Sequence, residues 1–289
     1  MNIRRFKRPL IRATVLICGI YMIVCSLMYF FQHRFVYYPV KAHVAVPSEA
    51  GVPWEDIFFT TIDNVKLHGW YMTEGNAPFT ILFMHGNAGN ISHRTMFYRK
   101  FISMKYFNVF AFDYRGYGKS KGKPTEKGTY LDALAAYNWL TKTKKIRPES
   151  IIIYGRSLGG AVAAQLATQV PAGGLILDST FTSLNDVASR VFRFLPVRLI
   201  SRYSYNTLGR IQDIKSPVLI FHSPVDDLIS FSHASKLHGK FGDRATLVKT
   251  CGDHLNGFLG CEAVYTEGLR TFIVNIVKSR PVFKKLNVL

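Results

Sequence analysis

Cysteine is scarce: the 289 residues hold four, and none forms a Cys-x-x-Cys pair. No thiolate metal site is therefore legible in the spacing. Proline (12) and glycine (22) are not in excess, and no internal repeat or low-complexity tract appears. These absences leave a globular chain rather than a repeat array or a disordered one. Acidic residues are half as many as basic ones, 18 against 37, for a net charge of +19. A phosphate-cradling loop is also missing. Gly118-Lys119-Ser120 ends like one, but position 113 is Asp where such a loop needs Gly. Lys119, Lys121, Lys123 and Lys127 form a small basic run with no base-stacking aromatic module, so nucleic acid is not an expected partner.

Almost half of the residues are hydrophobic (48%), enough for one large α/β domain or two small ones. One apolar run stands apart. Residues 13–31 carry no charge, and a helix of that length spans roughly 28 Å, close to a bilayer core. Arg4, Arg5, Lys7, Arg8 and Arg12 precede it; Tyr29, Phe30, Phe31, Phe35, Tyr37 and Tyr38 crowd its far end like an interfacial belt. The run is longer than a cleaved signal's apolar core, and bulky Met28, Tyr29 and Phe30 stand where a small-x-small site belongs. The expectation is a basic leader over 1–12 and an uncleaved signal anchor over 13–31. Charge flanks then place the N-terminus in the cytoplasm and the rest of the chain opposite. The leader carries five of the net charges, leaving +14 elsewhere. Near anionic head groups each cation contributes about 1 kcal/mol. Cys251 and Cys261 flank a loop and either bridge in an oxidising compartment or stay free.

Residues 32–55, with three prolines and little periodicity, read as a linker into a domain over 56–289. Residues 56–61 and 65–72 pattern as a hairpin around Asp63-Asn64. Short apolar runs follow at 79–84, 108–113, 151–154, 174–177, 217–221 and 245–248. Helical stretches at 91–104, 126–143, 158–169, 232–239 and 262–278 separate several of them. This alternation predicts a mostly parallel sheet covered on both faces, with an antiparallel edge. Residues 181–212 interrupt it with aromatics and arginines. That insertion is either a small helical lid over a site or a packed helix pair.

Gly155-Arg156-Ser157-Leu158-Gly159 follows the run 151–154 and opens the stretch 158–169. Gly-x-Ser-x-Gly between strand and helix is a nucleophile elbow, with its serine exposed above the sheet. A serine hydroxyl needs a base, a group to orient that base, and donors for the developing oxyanion. The loop after residue 84, His85-Gly86-Asn87-Ala88-Gly89-Asn90, is placed to give one backbone donor, and the residue after the nucleophile gives the other. We therefore assign the Asn87 and Leu158 amides. Asp226 or Asp227 follows the next-to-last strand, and Asp226 is taken as the orienting acid. Asp178, at another strand end, is second in line. His254, in the loop after the last strand, is taken as the base. The order Ser157, Asp226, His254 selects it over His85, which precedes the nucleophile.

With these residues in place, 56–278 resembles an α/β-hydrolase. It is most similar to the membrane-anchored serine hydrolases that include fungal and animal α/β-hydrolase-domain proteins and depalmitoylating thioesterases. The carrying pieces are His85 to Asn90, Asp113-Tyr114-Arg115-Gly116-Tyr117-Gly118-Lys119-Ser120, Gly155 to Gly160, Ser179-Thr180-Phe181-Thr182-Ser183, and Asp226 with His254. The resemblance implies cleavage of a carboxylic ester or thioester with an acyl or lipid-like part, without metal or cofactor. A peptidase acting on amides and a catalytically silent scaffold are the rival readings. Two departures stand out: Ser223 where glycine is common, and Asp253 directly before the expected base.

Overall fold

Short β-branched and aromatic runs that alternate with helices bury both faces of a sheet. The computed structural model describes residues 3–73 and 75–279. Among them eight strands form one sheet: β1 (Trp54–Thr60), β2 (Lys66–Met72), β3 (Phe79–Met84), β4 (Phe107–Asp113), β5 (Ile151–Arg156), β6 (Gly174–Asp178), β7 (Val218–His222) and β8 (Ala245–Lys249). Their spatial order is β1-β2-β4-β3-β5-β6-β7-β8. β1 and β2 make the expected antiparallel hairpin, Trp54 opposite Met72 and Thr60 opposite Lys66. β2 also runs antiparallel to β4, and the other neighbours are parallel. This is the α/β-hydrolase architecture with the antiparallel edge that the pattern predicts.

The main helices are α1 (Ile3–Phe31), α2 (Thr95–Ser103), α3 (Glu126–Asn138), α4 (Leu158–Gln169), α5 (Leu184–Val191), α6 (Val197–Ile200), α7 (Ser232–Phe241) and α8 (Glu262–Ser279). Alternate strand residues feed two cores, because successive side chains point to opposite faces. Leu82, Met84, Ile151 and Ile153 pack with the alanines of α3 and α4 and with Leu237 of α7. Ile81, Phe83, Ile152 and Tyr154 pack with Phe97 and Phe101 of α2 and with Tyr265, Leu269 and Phe272 of α8. The expected helix 91–104 splits into a 3-10 turn over Ile91–Arg94 and α2. Asn90 caps that turn, accepting from the Ser92 amide.

The N-terminal helix differs from expectation in extent. It covers Ile3–Phe31, so the described part of the leader, residues 3–12, is continuous with it, and its stretch Pro9–Phe31 is long and apolar enough to cross a membrane. Residues 32–55, read as a linker, form a strap packed against the domain. Tyr37 and Val52 are buried in it. Tyr38–Pro39 pairs with Ala88–Gly89, and the Asn90 amide group donates to Val40 and Ala42 carbonyls at 2.9 and 2.7 Å. The strap has a short helix at His33–Val36 and a 3-10 turn at Pro47–Ala50, and the Asn87 and Asn90 side chains donate to its carbonyls. Of the domain expected over 56–289, residues 280–289 and Glu74 lie outside the described residues.

The joint between β5 and α4 leaves no room for side chains. A Cβ on Gly159 would stand 2.1 Å from the Met84 carbonyl oxygen, and one on Gly155 would stand 2.2 Å from the Gly159 carbonyl oxygen. Backbone cannot yield there as a side chain end would. Gly239, on the exposed side of α7, meets nothing within 4 Å. Gly159→Ala is expected to destabilise by about 1–3 kcal/mol or more, and Gly239→Ala to stabilise by roughly 0.5–1 kcal/mol. Denaturant midpoints measured side by side check both signs.

Candidate active site

Ser157 sits between β5 and α4 with φ 53° and ψ −119°, a conformation that costs of order 1–3 kcal/mol for a residue with a Cβ. Three hydrogen bonds hold it. Its amide donates to the Asp178 carbonyl at 2.8 Å, and its carbonyl accepts from Thr180 Oγ1 at 2.7 Å and from the Gly160 amide at 2.9 Å. The side chain is thereby turned off the end of the sheet.

His254 lies in the loop after β8, 97 residues away in sequence, with Nε2 3.0 Å from Ser157 Oγ. Its Nδ1 lies 2.8 Å from Asp226 Oδ2. A carboxylate only accepts, so Nδ1–H donates and the Nε2 lone pair faces the serine hydroxyl. Asp226 is held in turn by the Leu228 and Ile229 amides, which donate to Oδ1 at 3.0 and 2.7 Å. Burial raises its pKa, but the hydrogen bond and charge of His254 outweigh this and leave it below the usual carboxylate value. Asp227 does a different job: its Oδ1 accepts the His254 backbone amide at 3.0 Å. Adjacent carboxylates thus hold the ring and the backbone of one residue.

Asn87 and Leu158 line a cavity together with Ser157. Neither amide N–H is spent on an acceptor among the described residues. The cavity has a volume of about 360 Å³, and its walls are mostly apolar. Phe181, Leu184, Val187, Val191 and Phe192 come from the insertion 181–212, and Met28, Gln32 and Phe35 come from the end of α1 and the start of the strap. The insertion and α1 are joined directly. Gln32 donates to the Ile200 carbonyl at 2.7 Å and accepts from the Arg202 amide at 2.7 Å, and Tyr21 OH donates to the Phe194 carbonyl at 2.9 Å.

The other candidates lie elsewhere. Asp178 is buried beneath the elbow, accepting from Tyr154 OH at 2.6 Å and Tyr265 OH at 2.8 Å. His85 is fully buried, with Nδ1 donating to the Gly86 carbonyl at 2.6 Å, and burial pulls its pKa down to about 4. Asp253 caps its own turn through the Leu255 and Asn256 amides rather than touching the imidazole. Ser223 Oγ accepts the Val225 amide in the turn before Asp226. Cys251 and Cys261 form a disulfide around the His254 loop.

Arg156 escaped the sequence reading, because an x position in an elbow carries no signature. Its Nη2 donates to the His254 carbonyl at 2.6 Å and the Leu255 carbonyl at 3.3 Å, and its guanidinium lies 4.8 Å from the centre of the Phe97 ring. It ties the elbow to the loop of the imidazole. The share of α1 in the cavity wall also had no sequence signal.

A family model described as the alpha/beta hydrolase fold matches residues 80–205. The alpha/beta hydrolase domain-containing protein WAV2 of Arabidopsis thaliana is 35% identical over 274 residues, covering 86% of this chain and 89% of that protein. An uncharacterized membrane protein of Saccharomyces cerevisiae is 33% identical, covering 73% of this chain and 78% of its own. A Pyrococcus furiosus esterase superposes with a TM-score of 0.68 at 22% identity, over 83% of this chain and 97% of the esterase. At that identity the likeness is one of fold.

Arg156→Ala removes the donor of two carbonyls and the contact with Phe97. It is expected to cost about 1–3 kcal/mol and to speed amide hydrogen exchange across residues 251–257. Unchanged exchange in that loop would show that Arg156 does not hold it.

Proposed function

The chain belongs to the alpha/beta hydrolase family, and from that premise we propose that it is a membrane-anchored serine hydrolase cleaving a carboxylic ester or thioester with an acyl or lipid-like part. The observation that carries this reading is the hydrogen-bonded chain Ser157–His254–Asp226 opening into a cavity walled by apolar side chains. Ser157 Oγ attacks the substrate carbonyl carbon as His254 Nε2 takes its proton. Asp226 fixes the tautomer and stabilises the imidazolium that forms. The Asn87 and Leu158 amides receive the oxyanion; one such donor typically contributes about 2.7–4 kcal/mol to the barrier. His254 returns the proton to the leaving oxygen or sulfur. Water then cleaves the acyl-enzyme by the same route.

The cavity favours an acyl chain over an amino-acid side chain, because its walls offer few polar groups. Each methylene it buries contributes about 0.8 kcal/mol, roughly fourfold in kcat/KM. Attachment of the wall to α1 favours a substrate drawn from a bilayer. The basic flank of α1 and the Cys251–Cys261 disulfide both support an extracytoplasmic catalytic domain.

A fluorophosphonate probe is expected to label the detergent-solubilised chain and to fail on Ser157→Ala; a wild-type chain that is not labelled sinks the reading. Asp226→Asn is expected to lower kcat roughly 10³–10⁴-fold, while Asp227→Asn, which touches only a backbone amide, stays within about tenfold. Across an acyl-ester series, Val187→Trp is expected to move the preference to shorter chains. An unmoved profile would place the acyl group outside this cavity.

A further inference from the structure

A second cluster lies away from Ser157, where the strap crosses the ends of β2 and β4. The Asp113 carboxylate is fully buried there, and its Oδ1 accepts the Ile91 amide at 2.9 Å. Three imidazoles surround it. His43 Nε2 is 3.2 Å and His68 Nδ1 is 3.7 Å from Oδ2, and His85 Nε2 is 3.8 Å from Oδ1.

The proton bookkeeping of this cluster leaves a gap. His68 Nε2 lies 2.6 Å from Asp56 Oδ1, and a carboxylate only accepts, so this nitrogen carries the proton. In the neutral ring Nδ1 is then a bare lone pair, and it is buried without a hydrogen-bond partner. His85 repeats the arrangement. Its Nδ1 donates to a carbonyl, and its buried Nε2 has no partner. Two buried lone pairs thus face one carboxylate, and unpaired polar groups are costly in an interior. A cation at Asp113 Oδ2 would give the His68 lone pair a partner.

We propose that His43 Nε2, His68 Nδ1 and Asp113 Oδ2 bind a divalent transition metal, with zinc the ion this donor set suits best. The three atoms all lie within 4.8 Å of one another. Two imidazoles and a carboxylate are zinc donors that leave a fourth position for water. Asp56 stands where ligating histidines usually have a carboxylate on the other ring nitrogen, fixing the tautomer. None of the three ligands lines the cavity at Ser157, so the metal is a clamp rather than a reagent. His43 belongs to the strap and the other two ligands to the sheet. The clamp therefore fastens the segment that follows α1. It also steadies the loop of Asn87, whose carbonyl accepts the strap's Tyr38 amide at 3.0 Å.

The test uses the full chain in detergent, stripped with a chelator and dialysed. Isothermal titration with zinc is expected to give one site per chain. At a hundredfold excess over the dissociation constant, Tm should rise by roughly 5–10 °C. His43→Ala, on the partly exposed strap, and His68→Gln should each lose the site and the shift; Ser157→Ala should keep both. If wild type binds no zinc, the proposal fails. It fails equally if His43→Ala binds as wild type does.

Discussion

The structure depends on holding one serine backbone in a conformation that its side chain disfavours. Ser157 keeps φ 53° because the chain on either side is fixed more firmly than the serine is strained. The amide and carbonyl of that residue are tied to the end of β6 and to Thr180. Gly155, Gly159 and Gly160 let α4 press against β3 and the β6 loop at distances no Cβ tolerates. The strain is local, and the whole centre of the sheet opposes its release. The hydroxyl is therefore held in place by the fold itself, the preorganisation that the proposed nucleophilic role of Ser157 requires.

The second constraint is apolar. The insertion's helices α5 and α6 are too short to bury much surface on their own. They obtain partners from Phe35 of the strap, which meets Phe192 edge to face, and from Gln32 at the end of α1. The cavity at Ser157 is therefore enclosed in part by the end of α1 and by the strap. The end of α1, the strap and the insertion make one wall, and the wall's composition sets what fits beside the serine.

Much of this was legible in the residues because its signals are local. The alternation of apolar runs and helices gave the parallel sheet, and Asp63-Asn64 marked the hairpin. Strand ends and chain order named Ser157, Asp226 and His254, and the fold brings Ser157 and Asp226 each within hydrogen-bond distance of His254. What was not legible is contact between distant segments. The strap read as a linker, since nothing in 32–55 announces that Asn87 and Asn90 will take up its carbonyls. Arg156 reaches the His254 loop across 98 residues, and His43, His68 and Asp113 follow no spacing rule. The choice between Asp226 and Asp227 rested on position alone, whereas the geometry separates them by which part of His254 each one meets.

The ring closed by Cys251 and Cys261 encloses residue 254 within ten positions of chain. Slack in that ring is slack in the imidazole, because residue 254 lies in a turn that precedes the four-residue helix Gly257–Gly260. Such a bond persists where thiols are not continually reduced. The same covalent link that steadies the loop thus makes its order a property of the surroundings, one that changes with the redox state outside the molecule.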